Sequence, residues 1–279
     1  MIQNFALHQI YSDTFFEFNP DDYSRFKFGD DAIARNYGYD LAEAFVVNHP
    51  QSWSENDQIV VIPSPYSFVP TPSHALSRHF LFAYNRWLAQ QNRTVAEMSK
   101  VHRTVTYKED YGSLDAAERI RLIGNDTFHI DTLAIEGKKL IFIDDVRITG
   151  SHERMIKRMV EQYGLKNDIV MLYFAQLTNP DVHPRVENTL NYHFVKKIFD
   201  IEKIISEGTF VFNTRVIKYI LNAPEADFQR FIERQKEDFV QLLFDMALGN
   251  SYHLMDAYQN NFKYLTQKIP QFSLLKEAY

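Results

Sequence analysis

The chain has 279 residues, 45% of them hydrophobic and 24% charged, an ordinary balance for a globular protein with room for one large core or a core plus an appendage. A formal net charge of −6 argues against a general nucleic-acid binder, which needs a basic face for phosphate, so any anion site has to be local. The absence of cysteine removes disulfides, thiolate catalysis and cysteine-ligated zinc or iron–sulfur chemistry.

Met1-Ile2-Gln3-Asn4-Phe5 carries no basic segment followed by a sustained apolar core, and no window approaches the roughly 18 apolar residues of a membrane span. The cytoplasm is therefore the expected location, with no membrane partner. An aromatic, polar stretch follows, in which Tyr23-Ser24-Arg25-Phe26-Lys27-Phe28 alternates as a short half-exposed strand would, with Arg25 and Lys27 on one face. Asp30 or Asp31 then caps an expected helix from Ala32 to Val47 with Ile33, Tyr37, Leu41, Ala44 and Phe45 inward. Ile59-Val60-Val61-Ile62 reads as a buried strand. It runs into a loop rich in proline and hydroxyls, Pro63 to Ser73, and then a helix from His74 to Ala89. Lys100 to Phe128 is long, charged and hydroxyl-rich without apolar periodicity, the character of a functional loop.

Leu140-Ile141-Phe142-Ile143 is a second buried strand, with Asp144 and Asp145 expected at its tip. Thr149-Gly150-Ser151 then turns into an amphipathic helix with Met155, Met159 and Val160 inward. Strand, polar turn and helix N-terminus together form an anion-binding geometry, because free N–H groups and the positive end of the helix dipole face the turn. Two carboxylates beside that turn repel a bare phosphate, but a ribose 5-phosphate satisfies both features through its hydroxyls and its phosphate. Ile169 to Ala175 is a third buried strand and Leu190 to Val195 a candidate fourth. The strand–helix alternation implies an α/β fold, a parallel sheet with helices on both faces and ligand loops at the strands' C-terminal ends. From about Ile201 apolar residues recur at helical spacing, and no repeat or low-complexity tract appears.

Phe142 to His152 resembles the diphosphosugar signature of type I phosphoribosyltransferases: a strand, two acids, two variable residues, a hydroxyl-rich turn with glycine, and a helix. The order Arg103, Thr106, Leu114, Glu118-Arg119, Asn125 and Phe128 ahead of it resembles the ComF-like branch, and the helical C-terminus a bacterial subgroup associated with tellurite-resistance and stress operons. The resemblance implies a phosphoribosyltransferase-like three-layer fold divided as a hood at 1–56, an α/β core at 57–200 and a helical extension at 201–279. It implies phosphoribosyl diphosphate as substrate and Mg2+ near Asp144 and Asp145, which grip the ribose. Val146, Arg147, Ile148, Thr149, Gly150, Ser151 and His152 would cradle the 5-phosphate, and Ser64, Pro65, Tyr66 and Ser73 the diphosphate. Arg103 and Lys108, with Arg119 as a third candidate, would be lid cations over the leaving group, excluding water. Arg25, Phe26 and Lys27 would line the nucleophile's pocket in the hood, unless they form an ordinary core and solvated face.

The chain departs from that pattern at Arg147, Ile148 and His152, where the family has an apolar residue and two hydroxyls. Arg147 is a candidate to restore the lost grip on phosphate. Prolines and hydroxyls replace the usual glycine and basic residue of the first loop, and Arg78 either supplies charge from the helix beyond it or belongs to that helix's solvated face. The nucleophile, a base or an amine, is not identified by the sequence. A non-catalytic sensor of a phosphorylated ribose metabolite is the alternative, and hydrolysis by water is a third reading. The aromatics of the extension are expected to form core or a homodimer face.

Overall fold

The three apolar runs become the centre of a sheet because each is covered on both faces. In the computed structural model, which describes residues 2–48, 53–103 and 128–269, strands β1 (Ile2–Ile10), β2 (Ile59–Pro63), β3 (Glu97–Met98), β6 (Lys139–Arg147) and β7 (Ile169–Leu177) form one parallel sheet in the order β1-β7-β6-β2-β3. Two further strands, β4 (His102–Arg103) and β5 (Phe128–His129), pair antiparallel beside it.

Period two sorts the sheet's side chains into two layers. Val61, Ile141, Ile143, Val170, Leu172 and Phe174 pack under helices α1 (Pro20–Lys27), α2 (Asp31–Asn48) and α3 (Pro72–Gln90). Val60, Ile62, Leu140, Phe142, Met171 and Tyr173 pack on the opposite side, against α4 (Thr132–Ile135) and Met155, Ile156 and Met159 of α5 (Ser151–Gln162). The expected three-layer α/β architecture is the one observed.

The C-terminal helices build a core of their own. After α6 (Val186–Asn191), whose Val186 and Leu190 still belong to the sheet core, these are α7 (Asp200–Ser206), α8 (Thr214–Leu221), α9 (Glu225–Glu233), α10 (Glu237–Gly249) and α11 (Gln259–Gln267). From Val195 onward their apolar residues, Phe228, Phe231 and Phe262 among them, form one buried cluster that also takes in Phe28 and Val69. Those aromatics are therefore core of the chain itself. Backbone bonds fasten this layer to the sheet layer: Val211 N–H donates to the Gly29 carbonyl, Asp31 N–H to Thr209 and Thr214 N–H to Pro70. Among the described residues, no helix is long and apolar enough to cross a membrane.

Three expectations change. Residues 20–27 form a helix, because Asn19 caps it through Asp21 N–H and Pro20 starts it, and the apparent alternation at Tyr23–Phe28 is incidental. The stretch from Leu190 to Val195 is not a strand. It leaves α6 and bridges two cores, Leu190 in the first and Val195 in the second. The remaining full-length strand is β1, whose half-exposed edge hid it from an apolar-run search. Within the segment expected as a hood, β1 lies in the sheet and α2 packs on α3.

Asp30 caps α2, its Oδ1 accepting from the N–H groups of Ala32 and Ile33. The α2–α3 contact is tight at Gly38, where an added Cβ meets the His79 Cβ and the Phe80 backbone nitrogen at 2.7 Å each. Gly38→Ala is expected to destabilise the chain by about 1–3 kcal/mol through overpacking, despite alanine's better helix propensity. A thermal melt reads this directly, and an unchanged or raised midpoint would contradict the packing described.

Candidate active site

The strand does not stop before the acids. Asp144 pairs in register with Tyr173, Val146 with Ala175 and Arg147 with Gln176, so Asp144 and Asp145 lie inside β6 and must point to opposite faces of the sheet. Asp144 follows Leu140 and Phe142 toward α5. Its Oδ1 accepts from Ser64 Oγ at 2.6 Å and from Asp145 N–H at 3.0 Å, and its Oδ2 pairs with His152 Nδ1 at 2.5 Å. Asp145 follows Ile141 and Ile143 toward α1. Its Oδ2 accepts from the Tyr23 hydroxyl at 2.7 Å and from the Lys27 ammonium.

Burial pushes the Asp144 carboxyl up, but the charge and hydrogen bond of His152 outweigh it and hold the group well below the usual carboxylate range. Asp145 goes the other way: burial and the neighbouring Asp144 raise it against the pull of Lys27. Burial alone would depress His152, yet the facing Asp144 carboxylate raises it above its ordinary 6.5. An ion pair on one face of the strand therefore sits beside a more easily protonated acid on the other.

Beyond Arg147 the chain turns through Gly150, whose left-handed φ of 66° precedes the first residue of α5. Thr149 Oγ1 and Ser151 Oγ lie 2.7 Å apart across the turn. Two guanidinium groups flank it: a Cβ built on Gly150 would stand 3.4 Å from Arg147 Nη2 and 3.6 Å from Arg154 Nη1. Arg147 is aimed by Glu153, whose Oε2 accepts from Arg147 Nε at 2.7 Å while its Oε1 accepts from Lys157 at 2.5 Å. Burial opposes ionisation of Glu153, but Lys157 and Arg147 carry its pKa down to about 2. Arg154 is fixed by donating to the Thr149 carbonyl at 2.8 Å and to Ser151 Oγ at 3.0 Å. Helix N-terminus, two hydroxyls and two guanidiniums converge on one turn, a cationic seat sized for a phosphate.

The acids and the turn form one wall of a cleft of about 230 Å3. The family model described as PRTase ComF-like matches residues 1–265. The chain belongs to this ComF-like phosphoribosyltransferase family. Similar solved structures include hypoxanthine phosphoribosyltransferase from Trypanosoma cruzi, at 13% identity over 54% of this chain and 80% of that one with a TM-score of 0.32. Another is the hypoxanthine-guanine enzyme of L. donovani, at 10% identity over 57% and 75% with a TM-score of 0.33. A third is the hypoxanthine enzyme of Staphylococcus aureus, at 11% over 55% and 76% with a TM-score of 0.29. No curated protein matches the chain.

In this ComF-like chain the cleft gathers Asp144 and Asp145, the whole run Val146 to His152, Ser64, Ser73, Arg103 and Lys27. Pro65 and Tyr66 do not line it. Pro65 lines a small adjoining hollow that shares Ser64, Asp144, His152 and Tyr173 with the cleft, and Tyr66 is held by a backbone bridge to His102 and by Lys100 over its ring. Thr71 and Pro72 take their places. Of the three residues expected around the nucleophile, only Lys27 reaches the cleft. Helical spacing puts Tyr23, Phe26 and Lys27 on the buried side of α1, with Phe26 in the core, and leaves Arg25 to pair with Asp30 and Glu207. Arg78 pairs with Asp31 instead of reaching toward substrate. Lys108, Thr106, Leu114, Glu118, Arg119 and Asn125 lie outside the described residues.

The opposite wall was missed. It comes from the helical region: Tyr192, Thr214, Arg215, Lys218, Tyr219, Asn222 and Tyr258, with Glu187 from α6. The signal was present at 215, 218, 219 and 222, the polar stripe left when Val216, Ile217, Ile220 and Leu221 face the core.

Glu153→Gln is expected to loosen Arg147 and weaken inorganic phosphate or ribose 5-phosphate binding several-fold, measured by calorimetric titration; undiminished affinity would contradict the role given to Glu153. His152 contributes its stabilisation fully below pH 6.5, and that contribution fades as pH rises through the raised folded-state pKa; Asp144, lowered from 3.8, contributes above that value and loses it in acid. Chemical denaturation at pH 6 and pH 9 should thus show a stability gap between the native chain and His152→Gln that narrows at the higher pH. A gap constant with pH would mean that the ion pair is absent.

Proposed function

We propose that the chain transfers the phosphoribosyl group of phosphoribosyl diphosphate to a nitrogen nucleophile. The observation that carries this reading is the juxtaposition of the turn, with its two guanidiniums, and the two acids of β6 in one cleft. The turn suits the 5-phosphate. The acids suit the ribose hydroxyls, and since they point to opposite faces of the sheet, Asp144 is the one whose faces toward the turn and Ser64 are already tied to the site. Asp145 is held through its Oδ2 by Tyr23 and Lys27.

Breaking the anomeric C–O bond leaves an oxocarbenium-like centre and sends the electron pair to the diphosphate. Arg103 lines the cleft and is the described cation suited to the leaving group, with Lys108 proposed beside it. The hydroxyls of Ser64, Thr71 and Ser73 ring the strand β2 end of the same cleft and suit the diphosphate oxygens. Among the described residues no three His, Asp or Glu side chains cluster as a protein-only metal site. A hydrated Mg2+ nonetheless fits Asp144 and Asp145, since that ion takes one or two carboxylates and draws its other ligands from substrate phosphate and water. When bound, Mg2+ would neutralise charge on the diphosphate.

The pre-engagement of both acids favours one second reading, a phosphoribosyl sensor that binds without turnover. Diphosphate release measured with a panel of bases and amines separates the two: saturable binding with no release for any nucleophile favours the sensor. The phosphoribosyl reading itself is tested by titration with phosphoribosyl diphosphate and Mg2+. Saturable binding is expected, weakened at least tenfold in the double variant Asp144→Asn, Asp145→Asn. A folded protein that does not bind, or a folded double variant that binds equally well, would overturn it.

A further inference from the structure

The reading above leaves the nucleophile's position open, and the wall facing the acids has the chemistry to receive it. Helix α8 sits there because Asn213 caps it through Val216 N–H at 3.0 Å, donates from Nδ2 to the Lys27 carbonyl at 3.2 Å, and is followed by Thr214 N–H bonding to Pro70. With Val216, Ile217, Ile220 and Leu221 buried, the helix turns Arg215, Lys218, Tyr219 and Asn222 into the cleft. Tyr219 stands beside Tyr192, ring centroids 5.8 Å apart, and is braced edge-on by Phe28 at 5.0 Å. These are rigid aromatic surfaces against which a flat ring can lie, with an amide at one end for its polar edge and two cationic side chains between.

We infer that the α8 face with Tyr192 is the acceptor side of the cleft, and that it takes a planar heterocycle carrying a negative charge. The inference rests on the phosphoribosyl reading and places the acceptor on the C-terminal helices, where the N-terminal segment was first expected to supply it. Charge selects the acceptor class. Glu187 is the one carboxylate among the residues that α6 and α8 bring to the cleft, against Arg215 and Lys218. Those helices bring no histidine to it, and burial pushes the Tyr219 hydroxyl up to about 12, so Glu187 is the one group on this face suited to take a proton, against the donors Arg215, Lys218 and Asn222. An acceptor whose attacking ring nitrogen already has a free electron pair needs no base. Its lone pair forms the C–N bond as the anomeric C–O bond breaks, the diphosphate leaves with that bond's electrons, and no proton has to be removed.

The test uses shape-matched pairs whose ring nitrogens carry a free lone pair, nicotinate against nicotinamide and pyrazine-2-carboxylate against pyrazine-2-carboxamide, titrated calorimetrically into the full chain with ribose 5-phosphate and Mg2+ present so that no transfer heat contributes. At least one anion is expected to bind, tenfold or more tighter than its neutral partner. Asn222→Asp, a change at an exposed position, should weaken the anion severalfold and more than it weakens the neutral ring. Lys218→Met should weaken the anion likewise. Equal or tighter binding of both neutral rings, no binding of any of the four, or anion affinity unmoved by both variants would overturn the inference. Binding of phosphoribosyl diphosphate is measured on the same samples: its presence confines such a failure to the acceptor assignment, whereas its absence overturns the parent reading as well.

Discussion

Two adjacent carboxylates carried inside a parallel strand are the constraint around which this molecule is arranged. Neither can be left bare, since an unpaired buried charge is costly, and removing one partner of a buried ion pair typically costs about 3–5 kcal/mol. Because the pleat sends neighbours to opposite faces, each acid meets its own set of protein partners. Asp144 draws in Ser64 from the loop after β2 and His152 from α5. Asp145 draws in Tyr23 and Lys27 from α1. Satisfying the pair thus fixes three elements around the C-terminal ends of β2 and β6, where ligands of open α/β sheets bind.

The same network extends into the helical layer. Asn213 bonds the carbonyl of Lys27, so the residue that caps α8 also steadies the segment bearing Asp145's counter-ion. Asn250 accepts from the N–H groups of Phe68 and Val69 in the loop after β2, and Gly249 allows the Phe68 ring to lie against α10, where an added Cβ would meet it at 2.1 Å. Sheet layer and helical layer therefore meet at the cleft, and each supplies one wall.

What the sequence made legible follows from burial. Runs such as Ile59–Ile62 and Leu140–Ile143 are apolar on both faces only if helices cover both, so the sheet, its layers and the strand–turn–helix unit around Asp144 to Ser151 are legible in the sequence. Residues 20–27 are not, because six residues that alternate in polarity also satisfy a helical face, and the decision rests on the Asn19 cap and Pro20. That single difference moved Phe26 and Arg25 out of the cleft and left Lys27 in it. The α8 stripe was hidden for another reason: its apolar neighbours explain the spacing fully, and only the tertiary position of the helix shows that its polar face meets the acids.

The most direct measurement is a crystal structure of the chain with ribose 5-phosphate. The account places the phosphate in the turn at Thr149–Ser151, within hydrogen-bond distance of Arg147 and Arg154, with the ribose hydroxyls toward Asp144 and Asp145. A phosphate seated elsewhere, or a sugar turned away from both carboxylates, would contradict it.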